Sequence, residues 1–246
     1  MMPAPAAAAM PRFPPLMRGH PVDAGTEPFG KACALAALGC DAGTVVHAVT
    51  ANRLAAALVL APEVPLAQAM AMLPACAVGF QNALGALGPP ELAVHLEWAG
   101  GIRVNGACCG RLRAAAAIAD PATVPDWMVV ALEVPLVQLD DRPGDHLDET
   151  ALYDEGCAGV DPTALLEAWA RHTLNWITRW EEDGPRPLHA AWRGLAHGLG
   201  EDAAIAGLAG TFVGIDEDFG MLLRDDAGTT HLVPLTAVLE TQGTQS

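Results

Sequence analysis

The sequence predicts an α+β fold: a mainly antiparallel sheet with helices on one side, followed by a small β module at the C-terminus. Three observations carry this. Helix-like and strand-like runs alternate irregularly, as helix, strands, helix, hairpin, strand and helices, without the repeated βαβ order of a parallel sheet. Asn105-Gly106, between IRV and ACCGRLRAAAA, is the strongest short hairpin signal and sets its two flanks antiparallel. Past residue 205 the pattern changes to three short strands with tight turns, GTFVGIDEDFGMLLRDDAGTTHLVPL, the look of a small β-barrel. The expected divisions are a Pro/Ala-rich arm over 1–19, a main domain over 20–203 and the β module over 204–242.

Each element has a local reason. Thr26-Glu27-Pro28 offers a cap and a proline at the first helical position, so FGKACALAALG reads as a short helix ended by Gly39. AGTVVHAV (42–49) and LAAALVLAP (54–62) are strands. VPLAQAMAMLPACAVGFQNALGALG is helical in spacing, with Pro65 at its start and Pro74 expected to kink or divide it. ELAVHLEW (91–98) is a strand, turned by Gly100 and Gly101 into the hairpin. WMVVALEVPLVQ (127–138) is another strand, and DDRPGDHLDE is a solvated acidic loop. Asp161-Pro162 caps the longest helix, whose Leu165, Leu166, Trp169, Trp176 and Trp180 form a core-facing stripe. PLHAAWRGLAHGLG closes the main domain as a helix ended by Gly198 or Gly200. No internal repeat is visible.

Composition narrows the function classes. The chain of 246 residues is 52% hydrophobic, enough for one sizeable core. Its formal charge is −16, from 13 basic and 29 acidic residues. A polyanion would be repelled at long range, so nucleic acid and anionic membrane are not expected partners. No stretch reads as a membrane span or a signal peptide. The six cysteines are scattered rather than framework-spaced, which fits reduced thiols and a cytoplasmic location. Lys31 is the only lysine, so any chemistry that requires one must use it.

Candidate chemistry concentrates in LEWAGGIRVNGACCGRLR (96–113). Cys108 and Cys109 are adjacent and point to opposite faces of a strand, so they cannot chelate one metal together. One of them beside His95 or His47 could act as a nucleophile in thiol acyl transfer. Buried, inert cysteines satisfy the same pattern. His95 and Glu97 form an H-x-E pair without a following Cys-x-x-C, and no metal site is expected. His172, His189, His197 and His231 carry no distinguishing context. No Gly-x-Ser-x-Gly, phosphate loop or dinucleotide fingerprint occurs.

Taken in order, several segments resemble the biotin protein ligase and lipoate ligase superfamily. TEPFGKACALAALGCDAGTVVHA looks like its opening S-T-N … G-T-V-V-x-A, and LEWAGGIRVNG looks like its W-P-N-D-I-x-V-N-G. TALYDEG, the two closing helices and the C-terminal strands follow collinearly, over roughly residues 20 to 240. The resemblance implies a class II aminoacyl-tRNA synthetase/biotin ligase-like domain and an SH3-like C-terminal barrel. It also implies ATP, Mg²⁺ and biotin or lipoate as reactants, with an acyl-carrier or biotinyl-domain protein as acceptor.

Four features on which the family's adenylation rests are altered. The Gly/Arg-rich loop between the second and third elements is missing, with only Arg53 left in TANR. The Asp that follows Trp98 in W-P-N-D is replaced: Ala99, Gly100 and Gly101 stand in those places, and glycine has no metal-ligand atom. The lysine three residues before Gly110 is Ala107. The G-x-G-x-N strand reads Ala131, Glu133 and Pro135, placing a carboxylate beside a carboxylic-acid pocket. Each lost charge contact removes about 3 to 4 kcal/mol of transition-state stabilisation.

On a regular strand Arg111 and Arg113 would share the face of position 107. Arg111 would then lie about 13 Å farther along. The expected ligand pocket comprises Trp98, Gly100, Gly101, Ala107, Gly110, Ala131 and Glu133. Arg111, Cys108 and Cys109 are the catalytic candidates. The sequence therefore reads as a divergent ligase-like protein that binds a small carboxylic acid, an acyl ligand or a protein without forming an acyl adenylate, and no cofactor is expected. The alternative is an active ligase or acyltransferase with altered catalytic residues.

Overall fold

The structure, a computed structural model, describes residues 10–138 and 148–240. A seven-stranded sheet runs in the order β1-β2-β3-β7-β6-β5-β4. Its strands are β1 (Arg18–Pro21), β2 (Thr44–Val49), β3 (Arg53–Leu60), β4 (Val94–Leu96), β5 (Gly101–Val104), β6 (Ala107–Ala116) and β7 (Met128–Pro135). Every neighbouring pair is antiparallel except β1 with β2. β1 was not expected, because the short RGHP carries neither alternation nor β-branched residues. The acidic loop expected over 140–149 lies mostly outside the described residues.

The helices begin where the local chemistry directs. In α1 (Pro28–Ala37) the Glu27 carboxylate accepts from the Gly30 N–H at 2.6 Å, with Pro28 in the first turn. In α4 (Pro162–Asp183) Asp161 accepts from Ala164 N–H at 2.8 Å, and Gly184 ends the helix at φ 76°. The third apolar segment is divided, as α2 (Leu66–Ala69) and α3 (Met72–Leu87), but the break falls at Met70-Ala71 rather than at Pro74. Pro74 sits in the first turn of α3, where its missing N–H costs no helical bond. The closing helix α5 spans Arg186–Leu195.

The main core lies between the sheet and α3, α4 and α5, with Trp169, Phe80, Met70 and Leu132 among its fully buried side chains. Trp169 donates to Cys76 O at 3.1 Å and Trp176 to Asn82 Oδ1 at 2.8 Å, so the tryptophan stripe packs on α3 as its spacing required. The helical layer expected on one side is present, with one addition: α1 lies on the opposite face. There Phe29, Ala32 and Ala36 cover Val46, Ala57, Val129 and Ala131. At ten residues, α1 covers only part of that face and leaves the rest open.

The segment Leu66–Leu87 corrects one expectation, since at 22 residues and a mean hydropathy of 1.4 it is long and apolar enough to cross a membrane. Its most apolar stretch is 72% buried inside the protein, where α2 and α3 pack beneath the sheet. No disulfide joins the described cysteines. The C-terminal unit is a four-stranded antiparallel sheet, β8 (Asp202–Ile205), β9 (Leu208–Ile215), β10 (Met221–Arg224) and β11 (Thr230–Val233), one strand more than expected. Its Phe212, Phe219 and Leu223 are continuous with the main core.

Candidate functional site

The β5–β6 hairpin decides which side chains reach the open face. Asn105 and Gly106 both take positive φ, 51° and 96°, as an Asn-Gly hairpin turn requires. Pairing then slips: Arg103 faces Cys108 but Gly101 faces Arg111, so β6 spends three steps where β5 spends two. This is a bulge at Cys109-Gly110, with Gly110 at φ 133°. A Cβ there would strike the Glu133 carbonyl, so glycine is required.

The bulge overturns the regular-strand expectation. Ala107 pairs with the buried Val104 and falls on the helix-covered side. Cys109, Leu112 and Ala114 enter the main core. Arg111 and Arg113 instead share the open face with Cys108, not with position 107.

That face carries a groove of about 660 Å³ lined by Asn52, Arg53, Cys108, Arg111, Glu133 and Thr150, among others. Glu133 lies at its centre. Its Oε1 pairs with Arg53 Nη1 at 2.9 Å and its Oε2 with Arg111 Nη2 at 3.5 Å. Arg53 and Glu133 are largely buried, whereas the Arg111 side chain is 59% exposed. The glutamate expected to repel a ligand carboxylate is thus held by two guanidinium groups.

The remaining arginines of this face are engaged as well. Arg113 forms a bidentate pair with Glu240 at 2.6 and 2.7 Å, stacks on the Phe29 ring at 4.3 Å and lies 3.6 Å from Glu27. Glu240 holds Arg113 protonated, and Arg113 keeps the Glu240 carboxyl below its usual range. Arg103 Nε donates to Glu97 Oε1 at 2.6 Å and its Nη1 to Gly106 O at 2.8 Å. Cys108 Sγ is 4.0 Å from the same Glu97 oxygen. Burial, then the Glu97 charge, raises the Cys108 thiol, and burial pushes Cys109 up to about 12. Neither is poised as a thiolate.

The other expected pocket residues lie elsewhere. Trp98 is buried on the helix side, where its indole N–H donates to Phe219 O at 2.7 Å and fastens the hairpin to the C-terminal sheet. With Gly100, Trp192 and Leu235 it lines a cavity of only about 10 Å³, space for at most one water. Ala131 is sealed under α1. Gly100, at φ 97°, passes so close to Leu112 O that a side chain would not fit. A Cβ on Gly101 would meet the Glu97 carboxylate, which fills that space. Of the expected site, the structure brings Cys108, Gly110, Arg111 and Glu133 together, and leaves Trp98, Gly100, Ala107, Ala131 and Cys109 out. Sequence reasoning missed the Glu97–Arg103 pair, whose only signal was the acid–base spacing around the hairpin, and Glu240, which lies 127 positions from Arg113 and carried no local signal.

A family model described as the biotin/lipoate A/B protein ligase family matches residues 13–194. The chain belongs to that family. A second model, a domain of unknown function (DUF4444), matches residues 199–241. Among solved structures, a biotin protein ligase-like protein of unknown function from Silicibacter sp. TM1040 is 60% identical, over 94% of this chain and 100% of its own, with a TM-score of 0.90. Biotin protein ligase from Aquifex aeolicus is 16% identical, over 85% and 93%, at a TM-score of 0.68. The same enzyme in complex with biotin and ATP is 15% identical, over 85% and 92%, at 0.65. These two support the fold. None of the curated proteins matches.

The donor set fits neither a magnesium ion nor a nucleotide. Glu97 fills the space in front of Gly101, but the Arg103 guanidinium 2.6 Å away would repel a divalent cation. β2 and β3 are joined by the short turn at 50–52, too short to wrap phosphates. Lys31 is exposed on α1. Among the described residues no cluster of His, Cys, Asp and Glu could hold a metal ion.

Proposed function

We propose that this family member binds a small carboxylate-bearing or acyl ligand, or a protein that presents one, in the Arg53–Glu133–Arg111 groove and does not make an acyl adenylate. One observation carries the reading: among the described residues, Arg53, Arg103, Arg111 and Arg113 of the open face are each already engaged by one of the chain's own carboxylates. Phosphate or a developing acyl-phosphate charge needs preorganised cations that are not otherwise neutralised. Pairing with Glu133, Glu240 and Glu97 removes them. With the Gly101 replacement, a further contact of about 3 to 4 kcal/mol that the family resemblance implies is lost.

The alternative, an active acyltransferase working through Cys108 and Arg111, has the position of Cys108 in the groove in its favour. Against it stands a thiol raised by burial and by Glu97. Incubation with ATP, Mg²⁺ and biotin, lipoate or octanoate, followed by mass spectrometry, is expected to yield no acyl adenylate. An adenylate would overturn the binding reading.

A further inference from the structure

The groove's charges alternate at close range. Reading across the strands, Glu133 on β7 is the cross-strand partner of Ala55 on β3 and of Arg111 on β6, and Arg53, two residues before Ala55 on the same face, reaches Glu133 diagonally. Glu149 on the rim adds a second carboxylate. Among the described residues that line it, two positive and two negative groups leave the groove neutral, within a chain of charge −16. A bare carboxylate would have to displace Glu133 against that background, and a bare ammonium would meet two guanidinium groups.

A ligand carrying both charges meets neither penalty. We propose that the groove takes a zwitterionic α-amino acid, its ammonium on Glu133 and its carboxylate on Arg111, a proposal that rests on the groove-binding reading above. The two arms differ in the required way. Glu133 is anchored by Arg53 at 2.9 Å and stays in place, while Arg111 is 59% exposed and its contact is the long one, 3.5 Å. Arg111 can therefore turn to a ligand carboxylate without uncovering a buried charge.

The spacing selects the compact zwitterion. Glu133 and Arg111 touch, so the ligand's own charges must be neighbours, as they are on a single α-carbon, to close an alternating ring of four charges. A ligand with its ammonium and carboxylate at opposite ends of a chain would satisfy only one arm. Pro135 and Val137 supply an apolar wall for the side chain, and Asn52 and Thr150 line the same groove.

The test is isothermal titration of the full chain with each common L-amino acid, with pentanoate and with butylamine. At least one amino acid is expected to bind about tenfold or more tightly than either single-charge compound. Glu133→Gln and Arg111→Ala should each weaken that binding by about tenfold or more. Arg111→Ala keeps the test sound even where Glu133→Gln lowers stability, because Arg111 is exposed. Pentanoate binding as tightly as the best amino acid, or no binding by any amino acid, overturns the proposal. Its failure is separable from that of the preceding one: adenylate formation would break the non-adenylating reading and leave the choice of ligand untouched.

Discussion

The two faces of the large sheet solve opposite problems with the same strands. The face under α3, α4 and α5 is almost wholly apolar; the Trp98, Trp169 and Trp176 indoles on that side are hydrogen-bonded inside, and the buried His47 Nε2 is an exception. The other face, beyond the edge of α1, carries guanidinium and carboxylate groups in matched pairs. The hairpin at 101–116 serves both, sending alternate residues each way until the bulge at Cys109-Gly110 shifts the alternation. The comparison teaches that apolar burial is concentrated on one face, while the other, outside the patch covered by α1, holds its charged side chains in ion pairs with one another.

If that division is right, Trp98→Ala should be among the most damaging substitutions in the hairpin, costing about 3 to 5 kcal/mol through lost burial and an orphaned Phe219 carbonyl. Thermal or denaturant unfolding reads this directly. Next in size is Gly101→Asp, which restores the carboxylate the resemblance implies at this position. It should cost about 1 to 3 kcal/mol, because Glu97 already fills the space. The same substitution made with Glu97→Ala should recover part of that loss, and an undiminished cost in the double variant would contradict the account of why glycine stands here.

A smaller effect comes from the buried His47, whose Nε2 has no hydrogen-bond partner and which packs against Phe13 on the helix-covered face. Burial, then the charge of His20, holds its pKa below the ordinary 6.5. The unfolded chain therefore takes up a proton there at a higher pH than the folded protein. His47 contributes its full stability above about pH 6.5 and loses it as pH falls toward its lower folded value. The melting temperature of wild type relative to His47→Gln should fall as pH drops through that window, and a difference that does not change with pH would contradict the assignment. Last, Arg111→Ala should change stability by no more than about 0.5 kcal/mol, since its pair is long and exposed. A larger cost would place Arg111 in the scaffold rather than at the groove.

Much of this was legible in the chain itself. Asn105-Gly106, the Glu27-Pro28 and Asp161-Pro162 helix starts, the apolar runs of β2 and β3 and the tryptophan stripe of α4 each act through near neighbours, and each formed as its local pattern required. The resemblance to the ligase family likewise lay in collinear short motifs, and the Ala107, Gly101 and Glu133 departures were visible as single letters. What could not be read was the direction of side chains around Gly110. One extra residue in β6 reverses the faces on either side of it, and no period in the sequence marks the bulge.

The sequence by itself determined the α+β class, the family resemblance, the hairpin and the presence of a single lysine, because these depend on residue type and on contacts a few positions apart. Only the tertiary structure decided that Trp98 is a fastener and not a pocket wall. It also decided that Glu133 is neutralised by Arg53, 80 positions away, and Arg113 by Glu240, 127 positions away. Ion pairs across such separations depend on strand register and on how two sheets dock, which is a property of the whole packed core and of no single segment.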